Sequence, residues 1–346
     1  MNADGSLRYK ARLVVPGFEQ REGLDYQETF APVAKFTTLR VLLALDVDFD
    51  WEIHHVDVKT AFLYPEVKEI VYMTPPEGYG EFLRDHKPNP KILKFLQCLY
   101  GLKQAPFEWY NHIDEFLCST GFARSNQDHN LYLSPESIVL RYVDDILIFG
   151  RSLSPVTALK KSRSVKYYMV DLAEAKQNLG MHIKRDRDAR TIYLNQTRYI
   201  TKILEGFGLQ HCKGITRPME AAPLLPCPTD PAKAIKRTEY QSKFGNVMYA
   251  MLGTHPDLAF TVSALRKYNS CPITAHHSAM GRSTGTKRTG QLAWQNMLVG
   301  QTPHPTQNAT MLKDENGKRR RATENERVQC IVLPPILSLF FLLLCE

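Results

Sequence analysis

The sequence predicts an α+β fold whose sheet is antiparallel. Short runs typical of strands alternate irregularly with amphipathic runs typical of helices, and neighbouring strand-like runs form two or more hairpins. A regular strand–helix–strand alternation, which would indicate a doubly wound parallel sheet, is missing. With 346 residues, 43% hydrophobic and 23% charged, the chain is long enough for a substantial core and has an ordinary globular composition.

The first half of the chain contains most of the predicted strands. A helix is predicted at 37–45, a short helix at "KTAFL" and a loop at 75–80, and strands are predicted at 8–15, 51–58, 91–97, 130–134, 137–142 and 145–150. From Ala105 to Phe122, apolar residues recur at i, i+4, i+7 and i+8 from Trp109, which predicts an amphipathic helix.

The second half is predicted to contain more helix. We expect a basic helix at 155–172, a hairpin formed by "NLGMHIKRD" and "TIYLNQ", and further helices at 197–208, 237–252 and 256–270. Residues 217–233 are rich in proline and predict a linker.

After Met280 the composition changes. Residues 281–327 have no apolar period, and we expect them to be disordered. Residues 330–345 are apolar, but Pro334 and Pro335 interrupt them, so we expect no membrane anchor.

Charge and cysteine content limit the classes of function. The formal net charge is +8, but residues 281–327 alone contribute +5, so the remainder permits a polyanionic partner without requiring one. Seven scattered cysteines without CxxC spacing do not predict a zinc site or a disulfide framework. The polar N-terminus does not resemble a signal peptide, so we expect a protein that is not secreted.

The stretch "IVLRYVDDILIFG" places Asp144 and Asp145 between two apolar strands. A turn explains two aspartates without any function, because Asp is a common turn residue. A metal site is the alternative, since Mg²⁺ prefers hard oxygen ligands. Asp57 also ends an apolar strand and is the best candidate for a third carboxylate, although such residues often cap the next helix instead.

The motifs "VDVKTAFL", "CLYGLKQAPFEWY" and "RYVDDILI" resemble the reverse transcriptase of copia-type (Pseudoviridae) retrotransposons. The stretches "YKARLVVPGF", "YQETFAPVAKFTTLR", "VYMTPPEGY", "NLGMHIKRD" and "MYAMLGTHPDLAF" resemble the same family in the same order, so that the likeness covers roughly residues 3–280. It implies a truncated right-hand polymerase with fingers, palm, and a partial thumb and connection. The implied domains are partial fingers and start of palm (1–56), catalytic core (57–150), palm end and thumb-like region (151–216), linker (217–233), start of the connection (234–280) and an unrelated tail (281–346).

The resemblance also implies the chemistry. It implies template-directed addition of deoxynucleotides to a primer on an RNA or DNA template. Asp57, Asp144 and Asp145 match the family's catalytic carboxylates, which hold two Mg²⁺ or Mn²⁺ ions. A cytoplasmic, virus-like-particle location or a nuclear one is implied. Two alternatives stay open: a decayed remnant without catalysis, and a non-enzymatic nucleic-acid-binding remnant.

Five further residues match nucleotide-binding positions of the family. Lys10 and Arg12 would lie on one face of a strand and hold the triphosphate, although a solvated basic edge strand is the alternative. Phe62 matches the bulky residue under the sugar, where it would exclude a 2′-hydroxyl, but it can equally be a core residue. Gly101 would allow close approach to a nucleotide with Tyr100 packed nearby, or would be an ordinary turn residue.

Overall fold

The computed structural model describes residues 11–77, 79, 92–209, 211, 219, 236–289, 297–299, 311–313 and 319–321. The chain divides into two units, residues 1–299 and 300–346. Within the second unit, Met311–Lys313 pairs with Arg319–Arg321 as a short antiparallel ribbon. All other elements belong to the first unit.

The main sheet of the first unit has six antiparallel strands. Their order is β4-β5-β6-β7-β1-β8. Their bounds are Glu52–Val58 (β1), Ala123–Arg124 (β4), Leu131–Leu133 (β5), Ser137–Tyr142 (β6), Asp145–Gly150 (β7) and Met169–Glu174 (β8). The strand with the first predicted carboxylate, β1, therefore lies beside the strand that begins at Asp145. The antiparallel sheet and the mixed helix content confirm the predicted α+β class.

One face of this sheet is covered by two helices, α2 (Ala105–Ser119) and α3 (Leu153–Lys166). Helix α2 has proline in its first turn, where the missing N–H costs nothing. The apolar face predicted for α2 is buried as expected. It packs with alternate residues of the central strands and with α3 in one cluster that includes Trp109, Ile113, Val56, Ile146 and Val156. This packing makes the central strands a rigid base for the residues at their ends.

A second antiparallel sheet follows the first along the chain. It has the order β12-β11-β10-β9, with bounds Gln177–Asn178 (β9), Met181–Asp186 (β10), Thr191–Asn195 (β11) and Met297–Val299 (β12). The hairpin β10–β11 is the one that the sequence predicts. Arg185 of β10 joins this sheet to helix α1 (Phe36–Phe49), because its guanidinium donates to Asp46 Oδ1 at 3.0 Å and to Asp50 Oδ1 at 2.7 Å.

Four helices complete the first unit. They are α4 (Thr197–Gly206), α5 (Arg237–Gly253), α6 (Ala259–Arg266) and α7 (Thr274–Thr289). Helices α5, α6 and α7 share a separate apolar cluster that contains Tyr240, Leu258 and Leu265. A short two-stranded ribbon, β2 (Tyr72–Met73) with β3 (Leu93–Lys94), packs with a third cluster around Cys98 and Leu102. Cys98 and Cys118 are free thiols, whereas Cys271 is in a disulfide bond.

Three sequence predictions differ from the structure. Residues 11–15 are not in a strand, although the Val15 N–H donates to Tyr100 O at 2.8 Å. The helix predicted at 155–172 ends at Lys166, because the chain then forms β8 and completes the hydrogen bonding of the β1 edge. Helix α7 crosses the predicted boundary at residue 281, β12 adds to the second sheet, and Met311–Lys313 pairs with Arg319–Arg321, so the expected disorder is wrong at these residues.

Two predicted segments fall where little or nothing is described. The linker at 217–233 is outside the described residues except for Met219, and the apolar stretch at 330–345 is outside them entirely. Among the helices that are described, none is long and apolar enough to cross a membrane.

Candidate active site

The turn between β6 and β7 is tight and strained. Tyr142 pairs with Asp145, so only Val143 and Asp144 form the turn, and Val143 has φ of 58°. A β-branched residue at positive φ costs roughly 1–3 kcal/mol. The indole Nε1 of Trp109, on the buried face of α2, donates to Val143 O at 2.9 Å and holds the turn in place.

The three predicted carboxylates meet at this turn. Asp57 lies opposite Asp145 in the β1–β7 pairing, and the Val58 N–H donates to Asp144 O at 2.9 Å. Two independent backbone connections therefore fix the end of β1 against the tip of the hairpin. The structure thus places these three side chains at one end of the central sheet, as the sequence predicts.

The carboxylates differ in their partners. Lys59 Nζ lies 2.6 Å from Asp57 Oδ1, and His55 Nε2 lies 2.9 Å from Asp145 Oδ1. Asp144 forms no ion pair among the described residues. Burial raises the pKa of Asp144, and the negative charges of Asp145 and Asp57 raise it further. The cluster therefore contains more negative charge than its own lysine and histidine balance.

His54 and His55 point to opposite faces of β1, as expected for neighbours in a strand. His54 Nδ1 accepts from Lys160 Nζ at 2.7 Å, and the same Lys160 Nζ lies 2.6 Å from Asp171 Oδ1. A cavity of about 440 Å³ opens on this second face, away from Asp57. The contact of His55 with Asp145 was not predicted, although two signals could have found it: His55 shares the face of Asp57, and β1 pairs with β7.

The donor chemistry of the cluster fits a divalent cation, since three carboxylates offer the hard oxygens that Mg²⁺ or Mn²⁺ prefers. In the arrangement that the structure describes, no three or more His, Cys, Asp or Glu side chains of the described residues are grouped as a metal site. The contacts of Asp57 and Asp145 supply a reason, because Lys59 and His55 each engage one carboxylate oxygen. An ion would have to replace at least the first of these contacts.

Three of the five predicted nucleotide-binding residues lie together. The rings of Phe62 and Tyr100 meet edge to face, with 5.3 Å between centroids, and Arg12 Cζ lies 5.6 Å from the centroid of Tyr100. Phe62 is half-buried in a 3₁₀ turn at Ala61–Leu63, four residues beyond the end of β1, and Arg12 is exposed. Lys10 lies outside the described residues.

Gly101 makes a close approach, but to the chain's own backbone. Its φ is 96°, and an added Cβ would lie 2.1 Å from Val15 O. An added Cβ on Gly17 would in turn lie 1.9 Å from Gly101 O. Glycine is therefore required at both positions by packing alone. A role for Gly101 toward a nucleotide stays a prediction.

A polar network beside Gly101 was not predicted from the sequence. The buried Gln104 donates from Nε2 to Asp25 O at 2.8 Å and accepts from Gln20 Nε2 at 3.0 Å. Gln20 Oε1 accepts from the Lys103 N–H at 2.8 Å, and Lys103 Nζ lies over the ring of Tyr26 at 4.8 Å. This network attaches the N-terminal segment to the start of α2, so the two residues after Leu102 are structural here.

Known proteins resemble this chain over most of its length. A family described as "Reverse transcriptase (RNA-dependent DNA polymerase)" matches residues 1–221. A retrovirus-related Pol polyprotein from transposon TNT 1-94 of Nicotiana tabacum is 38% identical over 284 residues, which cover 79% of this chain and 21% of the relative. The corresponding polyprotein from transposon RE1 of Arabidopsis thaliana is 38% identical and covers 81% of this chain and 19% of the relative.

A shorter relative also matches. A transposon Ty5-1 protein of Saccharomyces cerevisiae is 30% identical over 226 residues, which cover 64% of this chain and 71% of that protein. Against the two plant polyproteins, by contrast, the chain spans only about a fifth of their length. The similarity therefore concerns one domain of those larger proteins.

Proposed function

Because the chain belongs to the reverse transcriptase (RNA-dependent DNA polymerase) family of copia-type retrotransposon Pol polyproteins, we propose that it catalyses template-directed DNA synthesis. In this proposal a primer annealed to an RNA or DNA template is extended with deoxynucleoside triphosphates. The six-stranded sheet with α2 and α3 is the palm, and the segment around Val15, with the ribbon β2–β3, belongs to the fingers of a right hand. The proposed setting is a cytoplasmic particle or the nucleus.

One observation carries the proposal: Asp57 faces Asp145 across two paired strands, and Asp144 stands at the strained turn beside them. Like charges placed this close raise the free energy of the folded state unless a cation offsets them. The fold nevertheless holds them rigidly through Trp109 and through the Val58–Asp144 hydrogen bond. Strain and uncompensated charge that the fold maintains are typical of a functional site.

The three carboxylates have separate roles in metal binding in this proposal. Asp57 and Asp144 would hold two Mg²⁺ or Mn²⁺ ions, and Asp145 would lie alongside, with His55 as its hydrogen-bond partner. When bound, such ions lower the pKa of a primer 3′-hydroxyl and neutralise charge on the triphosphate and the departing pyrophosphate. The protein contributes the placement of the carboxylates, which the hairpin and β1 set before any substrate arrives.

The pair of Phe62 and Tyr100 is the proposed platform for the incoming nucleotide. Its edge-to-face contact fixes both rings, and the exposed guanidinium of Arg12 over Tyr100 supplies positive charge for the triphosphate, together with Lys10. A rigid aromatic ring at Phe62 under the sugar would exclude a 2′-hydroxyl. This arrangement supports a preference for deoxynucleotides.

Primer extension on an RNA template tests the proposal. Purified protein with Mg²⁺ or Mn²⁺ should incorporate labelled deoxynucleotides, and Asp144→Asn should abolish incorporation. Asp188→Asn is the matched control, because it removes the same charge from an exposed turn residue of the β10–β11 hairpin. Absence of extension by a folded wild-type sample would reject the proposal, and equal activity of Asp144→Asn would reject the assigned site.

A further inference from the structure

Lys59 is in direct contact with the candidate metal site. Its Nζ lies 2.6 Å from Asp57 Oδ1, and both side chains are about one-third exposed or less. Residues i and i+2 of an extended chain project to the same side, so Lys59 reaches back along β1 to the carboxylate two residues before it. The contact therefore arises within the strand end that carries the carboxylate.

Two hydrogen bonds fix the backbone of Lys59, whereas its side chain is about one-third exposed. Its N–H donates to Tyr168 O at 2.9 Å, and its carbonyl accepts from Thr60 Oγ1 at 2.7 Å. Thr60 follows at φ of 53°, so the chain turns immediately after Lys59, which itself follows the end of β1 at Val58. The flexible four-carbon stem of lysine can thus move its ammonium group toward solvent without any change in the main chain.

The charges of the cluster favour replacement of the Lys59 ammonium by a divalent cation. Three aspartates and Lys59 together carry a net negative charge, so Lys59 alone does not balance the carboxylates. A monovalent ammonium satisfies only one oxygen of Asp57, whereas a hard divalent cation prefers several carboxylate oxygens at once. Attached to the same strand, the ammonium is always present near Asp57 at high effective concentration.

We propose that Lys59 is a built-in counter-ion that holds Asp57 while no divalent cation is bound and leaves Asp57 when one binds. This inference rests on the proposed function, since it takes Asp57 as a metal ligand. It assigns Lys59 as a positioning residue: it keeps the Asp57 carboxylate aligned before the ion arrives, and it lowers the apparent affinity for that ion by competing with it. Metal binding and release of Lys59 are then one event.

Titration with Mn²⁺, followed by the electron paramagnetic resonance signal of the free ion, measures this competition without any polymerase assay. Lys59→Gln should bind Mn²⁺ about threefold to tenfold more tightly than wild type, because a partly exposed ion pair no longer has to be broken. Lys243→Gln is the control: it removes an equal charge from the Lys243–Glu239 pair on helix α5 and should leave the affinity unchanged.

A second measurement reports on the metal-free state. In EDTA, the thermal unfolding midpoint of Lys59→Gln should lie below that of wild type, and saturating Mn²⁺ should remove most of this difference. In an Asp57→Asn background the Lys59→Gln change should no longer affect Mn²⁺ affinity, because the two residues act as a pair.

The outcomes separate the inference from the proposed function. Equal Mn²⁺ affinity of wild type and Lys59→Gln, with binding still lost in Asp144→Asn, would overturn the counter-ion role and leave the metal site intact. No Mn²⁺ binding, or binding that Asp144→Asn does not weaken, would reject the metal site and the inference together.

Discussion

Asp46 is buried within the fold, whereas Asp144 is exposed at the tip of the β6–β7 hairpin, and the protein surrounds the two carboxylates differently. Asp46 is fully buried at the end of α1, and Arg185 donates to its Oδ1, to its backbone carbonyl at 3.2 Å and to the carbonyl of Trp51. Asp144 has Asp57 and Asp145 as neighbours. Lys59 contacts Asp57, and His55 contacts Asp145. The first carboxylate has an arginine partner that belongs to the fold, although its Oδ2 has no hydrogen-bond partner among the described residues.

This difference distinguishes acidic residues with a structural role from acidic residues with a functional role in this chain. At the α1–β10 junction each charge has its partner within the protein, and the contact joins two layers of structure. At the hairpin tip Asp144 has no cationic partner among the described residues. An acid cluster that the fold holds rigid yet leaves undercompensated is the one that needs an external cation.

Asp144→Asn should give the largest effect and should separate the role of Asp144 from that of Asp46. Primer extension should fall by at least about 100-fold, the size of the loss expected when one electrostatic stabiliser of a transition state is removed. The free energy of unfolding should not decrease, because the substitution removes a charge whose ionised form is disfavoured in the folded state. Urea denaturation beside the extension assay measures both. A strong loss of stability would place Asp144 with the structural acids.

Arg185→Ala should remove the contact that joins β10 to α1 and destabilise the protein. It leaves the buried carboxylate of Asp46 without its cation, which should lower the free energy of unfolding by about 3–5 kcal/mol. Arg187→Ala is the control, since Arg187 is more exposed and contacts Asp50 and Glu52; its loss should cost less than about 1 kcal/mol. Similar costs for both variants in urea denaturation would contradict the assigned role of Arg185.

The pH dependence of stability should also come from the junction. Burial raises the pKa of Asp46 to about 7, against the opposing charges of Arg185 and Arg187. A raised pKa means that the folded state binds the proton more tightly, so this contribution is complete below about pH 4 and is lost as pH rises through about 7. We expect a decrease of about 2–4 kcal/mol over that range.

Asp46→Asn should flatten this decrease, since the amide does not titrate. Asp50→Asn changes an exposed carboxylate on the same arginine and should leave most of the slope in place, because burial is the main cause of the raised pKa of Asp46. Equilibrium unfolding in urea at pH 5 and pH 8 is sufficient for the comparison. An unchanged slope in Asp46→Asn would show that other groups cause it.

Trp109→Phe should give the smallest effect. It removes the hydrogen bond to Val143 O, which should cost about 1–2 kcal/mol of stability. Because that bond holds the strained turn, primer extension should also become slower. Trp51→Phe is the control, as Trp51 stacks on Phe49 at the α1–β10 junction. If Trp51→Phe slowed extension equally, the support of the hairpin by Trp109 would not be specific.

The sequence predicts the carboxylates of the hairpin tip more accurately than the contacts around them. The alternation of "IVLRYVDDILIFG" and the family likeness were sufficient to bring Asp57, Asp144 and Asp145 together, because strand ends and turn residues are local properties. The contacts of Lys59 and His55 depend on side-chain rotamers and on strand register, which the sequence does not encode locally. For the same reason Asp46 was not recognised, since its partner Arg185 is 139 residues away.

The errors have a similar origin. The segment after Lys166 is helical in composition, yet it becomes β8 because the edge of β1 is available for pairing. Lys103 and Gln104 hydrogen-bond with Gln20 of the N-terminal segment, which is too distant in the sequence for a local pattern to predict the contact. In both places tertiary contacts outweigh local preference.

The two glycines that meet between the N-terminal segment and α2 impose a constraint on how this chain can vary. Any side chain at Gly17 would collide with Gly101 O, and any at Gly101 would collide with Val15 O. Every missense change in either glycine codon therefore introduces a clash, and no change at one position can be compensated by a smaller residue at the other. Among related copies of this sequence, intact glycines at both positions should accompany intact reading frames. The pair of glycines is therefore a marker of continuing selection on the fold.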